Sequence, residues 1–196
     1  MTTVSMELIQ QLREKTGVGM MDCKKALQET GGDIEKAIAV LRKKGAAVAE
    51  KRAANATDQG IVHAYIHPGS RVGVLIEINC ETDFVARTED MVKFAQDLCL
   101  QIAAFRPQCI TSQEVDAALV EKERAVYIEQ LKGKPAAIID QIIEGKLQRF
   151  YQDICLLHQP FVKNDKITVG DLLKDLIAKM GESIKIKRFV RFEIGQ

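Results

Sequence analysis

Arg71-Val72-Gly73-Val74-Leu75-Ile76-Glu77-Ile78-Asn79, continued by Cys80-Glu81-Thr82-Asp83-Phe84-Val85, carries the clearest structural signal in the chain. Val72, Val74, Ile76 and Ile78 recur at period two, which predicts a β-strand from Arg71 to Asn79 with one apolar face. The strand runs into a polar knot, and Phe84 and Val85 then stand where a connecting loop should be hydrophilic. Thr88 and Glu89 open a helical pattern a few residues on. A ring beside a carboxylate, at the tip between strand and helix, has two readings. Large apolar side chains are usually buried, so Phe84 folds back into the core; or it projects as a wedge that enters another protein. The residues alone leave both open.

Outward from that stretch, the segment Gly60–His67 pairs with Arg71–Asn79 across Pro68-Gly69-Ser70, a hairpin signal. Downstream, Met91, Ala95, Leu98 and Ile102 line up on a helix from about Thr88 to Phe105. Thr111 and Glu114 have the spacing of a capping box for a next helix reaching Lys132. Gly133-Lys134-Pro135 breaks it. A further helix carries Ile138, Ile139, Ile142, Ile143, Leu147, Phe150, Tyr151 and Ile154, and these two pair as an antiparallel hairpin. Thr168 starts a last helix that ends at Gly181, and Ile184 to Ile194 alternate as a closing strand. The fold class is α+β: a small antiparallel sheet covered by helices, with a helical hairpin.

The N-terminal part reads differently. Ser5 caps a helix with Leu8, Ile9 and Leu12 on one side, ended by Thr16-Gly17. Cys23, Ala26, Leu27 and Thr30 line a second helix, which stops at Gly31-Gly32. Asp33 caps a third, with Ile34, Ala37, Ile38 and Leu41 inward and a stop at Gly45 after Arg42-Lys43-Lys44. Residues 46–56 are alanine-rich and predict a helical, semi-rigid connector. Two domains follow: a three-helix bundle with its connector over residues 1–54, and an α+β core over 55–196.

Composition excludes several classes. A net charge of +1 gives no general affinity for nucleic acid. Five widely spaced cysteines without a CxxC pair argue against a disulfide framework or a zinc site, and fit a reducing compartment. No apolar run approaches the roughly 20 residues that span a bilayer, and the first residues show no signal-peptide pattern. A cytoplasmic location is expected, with no membrane association. There is no phosphate-binding glycine loop and no metal-ligand cluster, so no cofactor and no metal are expected. Cys80 is a candidate nucleophile, with His63, His67 or His158 as its base, but none of these has a catalytic signature around it, and a buried thiol at a strand end is the simpler reading. Gly17-Val18-Gly19-Met20-Met21-Asp22 places two polarizable methionines at a tight turn. They are either core or an adaptable docking knob, with Leu12 as an apolar neighbour.

Several blocks together resemble the elongation factor Ts family. They are Thr16-Gly17-Val18-Gly19-Met20-Met21-Asp22-Cys23-Lys24-Lys25-Ala26-Leu27, Gly32-Asp33-Ile34-Glu35-Lys36-Ala37, Glu77-Ile78-Asn79-Cys80-Glu81-Thr82-Asp83-Phe84-Val85-Ala86-Arg87, Gln159-Pro160-Phe161-Val162 and Arg188-Phe189-Val190-Arg191-Phe192. The resemblance covers nearly the whole chain. It implies a guanine-nucleotide exchange factor for elongation factor Tu, without covalent chemistry, whose nucleotide is held only by the partner. It implies that the N-terminal bundle is ubiquitin-associated-like and docks on the partner through Leu12, Met20 and Met21. It also implies that Thr82, Asp83, Phe84 and Val85 match the segment that dislodges magnesium from elongation factor Tu, which turns Phe84 from core to wedge. Longer members carry a duplicated core and a protruding coiled coil. This chain has one hairpin and one C-terminal strand, so it is similar to the short form, in which a homodimer supplies what duplication supplies elsewhere. The expected dimer surface is the open sheet face, with Leu75 and Phe189.

Overall fold

The computed structural model describes residues 4–131 and 136–195. Three helices come first, α1 (Met6–Thr16), α2 (Met20–Glu29) and α3 (Ile34–Arg52). Ser5 caps α1 by accepting the Leu8 N–H, and Asp33 caps α3 by accepting that of Lys36 at 3.0 Å. Gly17, at φ 69°, closes α1 in the left-handed conformation that glycine adopts without a Cβ clash. Ile9, Leu12, Cys23, Ala26, Leu27, Ala37 and Leu41 form the bundle's own buried core.

Gly45 does not end the third helix as expected; α3 continues through it to Arg52. The reason is packing. A Cβ at Gly45 would lie 2.5 Å from the Ala178 methyl group of α8 (Val169–Met180). Glycine here admits a neighbouring helix, and the alanine-rich connector is helical only as far as Arg52, where it forms the second half of α3.

Strands β1 (Gln59–Ile66), β2 (Val72–Cys80) and β5 (Ile184–Glu193) form one sheet with β2 in the middle. The His67 N–H donates to Val72 O and closes the hairpin, and the Ile194 N–H donates to Arg71 O, so β5 runs antiparallel to β2. Short strands β3 (Pro160–Phe161) and β4 (Asn164–Thr168), which the sequence pattern did not indicate, form a second, two-stranded sheet. A buried amide network fixes it. Gln101 donates to Gln159 Oε1 and Pro160 O and accepts the Val162 N–H at 2.8 Å, while Gln159 donates to Asp153 O. The Gln159-Pro160-Phe161-Val162 block is thereby accounted for as structure.

The remaining helices are α4 (Asp83–Ala86), α5 (Glu89–Phe105), α6 (Ala117–Gln130) and α7 (Ala136–Ile154). The expected capping box does not start α6. Thr111 and Glu114 close a single 3₁₀ turn, with Glu114 accepting from Thr111 Oγ1 and the Ile110 N–H, and Asp116 is the cap of α6. Helices α6 and α7 pack through Leu131, Ile143 and Leu147, flanked by Val120, Tyr127, Ile139 and Tyr151. The break at Gly133-Lys134-Pro135 lies outside the described residues. The architecture is α+β.

The chain divides into two compact units. The first takes the chain up to Val62, then Glu77–Phe94 and Leu172–Lys187; the second takes His63–Ile76, Ala95–Asp171 and the chain from Arg188. Within the second unit, His63 bonds Gln96 of α5 at 2.8 Å, and Arg191 donates to Ala103 O of the same helix at 3.3 Å. Odd-numbered residues of β1 and of the end of β5 therefore face α5. Ile66, Leu75, Val190 and Phe192 face the other way and are exposed. This corrects one expectation: the burial alternation of β5 slips by one residue at Lys187-Arg188, both exposed, so Phe192 rather than Phe189 joins Leu75 on the open face.

Candidate functional site

Strand β2 delivers the chain to a short, tied-down turn. Ile76, Ile78 and Cys80 are buried, and the Cys80 thiol donates to Thr82 O at 3.1 Å, folding the backbone back at the strand end. Thr82 takes an extended conformation (φ −126°, ψ 157°), and its hydroxyl accepts the Val85 N–H as N-cap of α4. One turn on α4 then sorts its residues by side. Val85 and Ala86 are buried, whereas Phe84 is 81% exposed. Asp83 pairs with Arg87 at 3.0 Å on the surface, an i,i+4 contact worth a few tenths of a kcal/mol. Thr88 donates to Val85 O and accepts the Met91 N–H, joining the turn to the start of α5.

The turn is also held from the distant end of the chain. Glu182, between α8 and β5, accepts both the Thr82 N–H (3.0 Å) and the Thr82 hydroxyl (2.8 Å). Glu81 accepts the Ser183 N–H at 2.6 Å, two bonds from Arg52 at 3.0 and 3.1 Å, and one from Asn55. The Ser183 N–H, then Arg52 and Asn55, hold the Glu81 carboxyl below its ordinary value. Neither Glu81 nor Glu182 stands out in the sequence as a site residue. The contacts of Glu182 are 100 positions away along the chain, and no local periodicity points to them.

The other sequence-derived residues fall into place around this. Met20 and Met21 open α2 and are 38% and 64% exposed, so the turn that carries them is a surface feature. Leu12 is fully buried in the bundle core. With no surface to offer, Leu12 supports the bundle from within, and Val85, 7% exposed, likewise packs under its turn. Of the residues expected to touch a partner, Thr82, Asp83, Phe84, Met20 and Met21 remain accessible.

Cys80 lacks the surroundings of a nucleophile. It is fully buried, and burial together with the Glu182 charge pushes its thiol above the ordinary value. Its proton is already committed to Thr82 O. The histidines have other partners: His63 bonds Gln96, His67 bonds Tyr65 at 2.9 Å, and the His158 ring lies tilted against that of Tyr151. Among the described residues no group of His, Cys, Asp and Glu is arranged to hold a metal ion, and no helix is long and apolar enough to cross a membrane.

Comparison with known proteins agrees over the whole length. A family described as Elongation factor TS matches residues 4–196. Elongation factor Ts of Carboxydothermus hydrogenoformans is 51% identical over 195 residues, 98% of this chain and 90% of the relative. That of Desulfosudis oleivorans is 51% identical over 198 residues, covering 100% of both chains. That of Thermotoga maritima is 50% identical over 193 residues, 98% of this chain and 97% of the relative.

Proposed function

The chain belongs to the elongation factor Ts family, and on that premise we propose that it is a guanine-nucleotide exchange factor. It binds elongation factor Tu carrying GDP and promotes GDP release, so that GTP can take the empty site. It does this without making or breaking a covalent bond, and as a cytoplasmic protein with no direct contact to nucleic acid. The observation that carries the proposal is Phe84: a ring 81% exposed on a turn held by side-chain hydrogen bonds.

A GTPase of this kind grips its nucleotide through phosphate contacts and magnesium. The ring, with Asp83 beside it, enters the partner and displaces the elements that orient those ligands. Linkage sets the scale, because the factor and the nucleotide must weaken each other by the same ratio. A thousandfold weaker hold on GDP corresponds to about 4 kcal/mol of coupling. Burial of one aromatic side chain supplies about 1.5–3 kcal/mol of it, and the lost magnesium contacts supply the rest. The N-terminal bundle, read as ubiquitin-associated-like, contributes affinity through Met20 and Met21, which offer apolar contact and no group suited to displacing a metal.

We further propose that two copies associate through the open sheet face. Ile66, Leu75, Val190 and Phe192 form an apolar surface of the kind soluble monomers rarely leave in water. Two such sheets packed face to face, about 10 Å apart, would cover it.

The test is release of a fluorescent GDP analogue from elongation factor Tu, with and without the protein. An adaptor that binds without exchange leaves the release rate unchanged, and that result sinks the proposal. Cys80→Ser serves as the control against thiol chemistry. An exchange factor keeps its rate within about twofold, whereas a cysteine enzyme loses its activity.

A further inference from the structure

Four residues of α4 cannot hold themselves in place, because a helix of one turn has not recovered the cost of its own nucleation. Phe84 adds no packing of its own, being almost wholly exposed. Apart from the buried Val85 and Ala86 beneath it, the orientation of the ring is set by what holds the residue that caps the turn. That residue is Thr82, and Glu182 takes both of its donors. Glu182 Oε2 accepts the backbone N–H and Oε1 accepts the hydroxyl proton. Saturating the hydroxyl proton leaves the Thr82 oxygen lone pairs for the Val85 N–H, which is the capping bond of α4. Hydrogen bonds to an ionised carboxylate are about twice as strong as neutral ones. Next to it the exchange is reciprocated: Glu81 accepts the Ser183 N–H. Residues 81–82 and 182–183 thus grip each other through two carboxylates.

We propose that Glu182 is a positioning residue for nucleotide exchange, fixing Thr82 and through it the aim of Asp83 and Phe84. This rests on the exchange reading above. In this role Glu182 keeps the ring presented before the encounter, so that no ordering has to occur during it.

The test is the rate of fluorescent GDP release from elongation factor Tu, followed against the concentration of the full-length protein. Contacts realised only while nucleotide is being displaced affect the maximal rate, and docking affects the half-saturating concentration. Glu182→Ala is expected to lower the maximal rate about tenfold while moving the half-saturating concentration less than about twofold. Glu182→Gln, which retains size and an acceptor, should recover most of the rate. In a Phe84→Ala background, Glu182→Ala should add less than a further twofold or so, because the two act through one ring. A wild-type maximal rate in Glu182→Ala overturns the inference, and so does a loss that simply multiplies with that of Phe84→Ala. If Glu182→Ala does not fold, Glu182→Asp keeps the charge but is one methylene too short to serve both donors. It should show an intermediate loss, and a wild-type rate there overturns the inference equally. A normal rate in Phe84→Ala alone is a different failure. It removes the wedge itself, and the inference with it.

Discussion

Phe84 and Phe192 are both aromatic rings left in water, 81% and 68% exposed, yet their settings have little in common. Phe84 stands alone on a one-turn helix between the charges of Asp83 and Arg87, fixed by polar bonds at Thr82 and by the buried Val85 and Ala86 beneath it. Phe192 stands in a row, with Val190 on its own strand and Leu75 and Ile66 on the others. Exposure by itself therefore assigns nothing. A solitary ring on a stiff mount suits a transient entry into a small pocket. A continuous apolar face suits lasting cover by a matching surface, where no single side chain matters most. The same contrast separates two kinds of mutational effect, one confined to kinetics and one confined to assembly.

The largest effect should come from Phe84. Phe84→Ala is expected to slow GDP release from elongation factor Tu by roughly ten- to a hundredfold, with thermal stability unchanged within about 0.5 kcal/mol. A loss of about 3–5 kcal/mol of stability, as from a core phenylalanine, would show that the ring packs inward and would break the comparison at its first term. Next is Phe192. Phe192→Asp puts a charge on the apolar face and should weaken self-association by roughly ten- to thirtyfold, read by sedimentation equilibrium at micromolar protein. Phe84→Ala should leave that equilibrium untouched, and a wild-type protein that sediments as a monomer removes the second term altogether.

A smaller effect is expected from the docking turn. Replacing Met20 and Met21 together by serine should raise the half-saturating concentration roughly three- to tenfold, since both are only partly exposed, while the maximal rate stays put. A fall in the maximal rate instead would move these methionines from docking into the exchange step. The smallest effect is one of pH. The Glu81 carboxyl is held below its ordinary value by the Ser183 N–H, then by Arg52 and Asn55. A depressed carboxyl stabilises the fold fully above its ordinary value and loses that contribution as pH falls through the folded one. The gap in melting temperature between wild type and Glu81→Gln should be constant near neutrality and shrink below about pH 4.5. A gap that widens on acidification would contradict the tether.

Elements set by local pattern were legible in the sequence, and elements set by distant contact were not. Ser5, Asp33 and Gly17 act where their types and spacing place them, because caps are made within one turn. The alternation of β2 was equally plain, as one of its faces is buried from Val74 to Cys80. Gly45 misled, since a glycine that admits Ala178 looks the same in sequence as a glycine that ends a helix. Thr111 and Glu114 misled in a related way: their bonds form, but they close a 3₁₀ turn rather than start α6. At the site, Phe84 and Asp83 stood out because an apolar ring in a polar loop is conspicuous. The grip on them was invisible, because Glu182 and Arg52 reach it from other elements.

The unbroken course of α3 fixes a distance and an angle. Ala37 and Leu41, near its start, lie in the bundle core, and Arg52 at its end holds Glu81 beside the turn that carries Phe84. Fifteen residues from Ala37 to Arg52, at 1.5 Å each, make a ruler of about 22 Å. A flexible tether would let the bundle and the Phe84 turn move independently, so that for any surface engaging both, the second would bind at whatever effective concentration the tether allowed. A helix allows one separation and one rotational phase. Each residue added or removed within it would turn one end against the other by about 100° and shift it by about 1.5 Å. Natural changes in the length of this helix should therefore be confined to near whole turns.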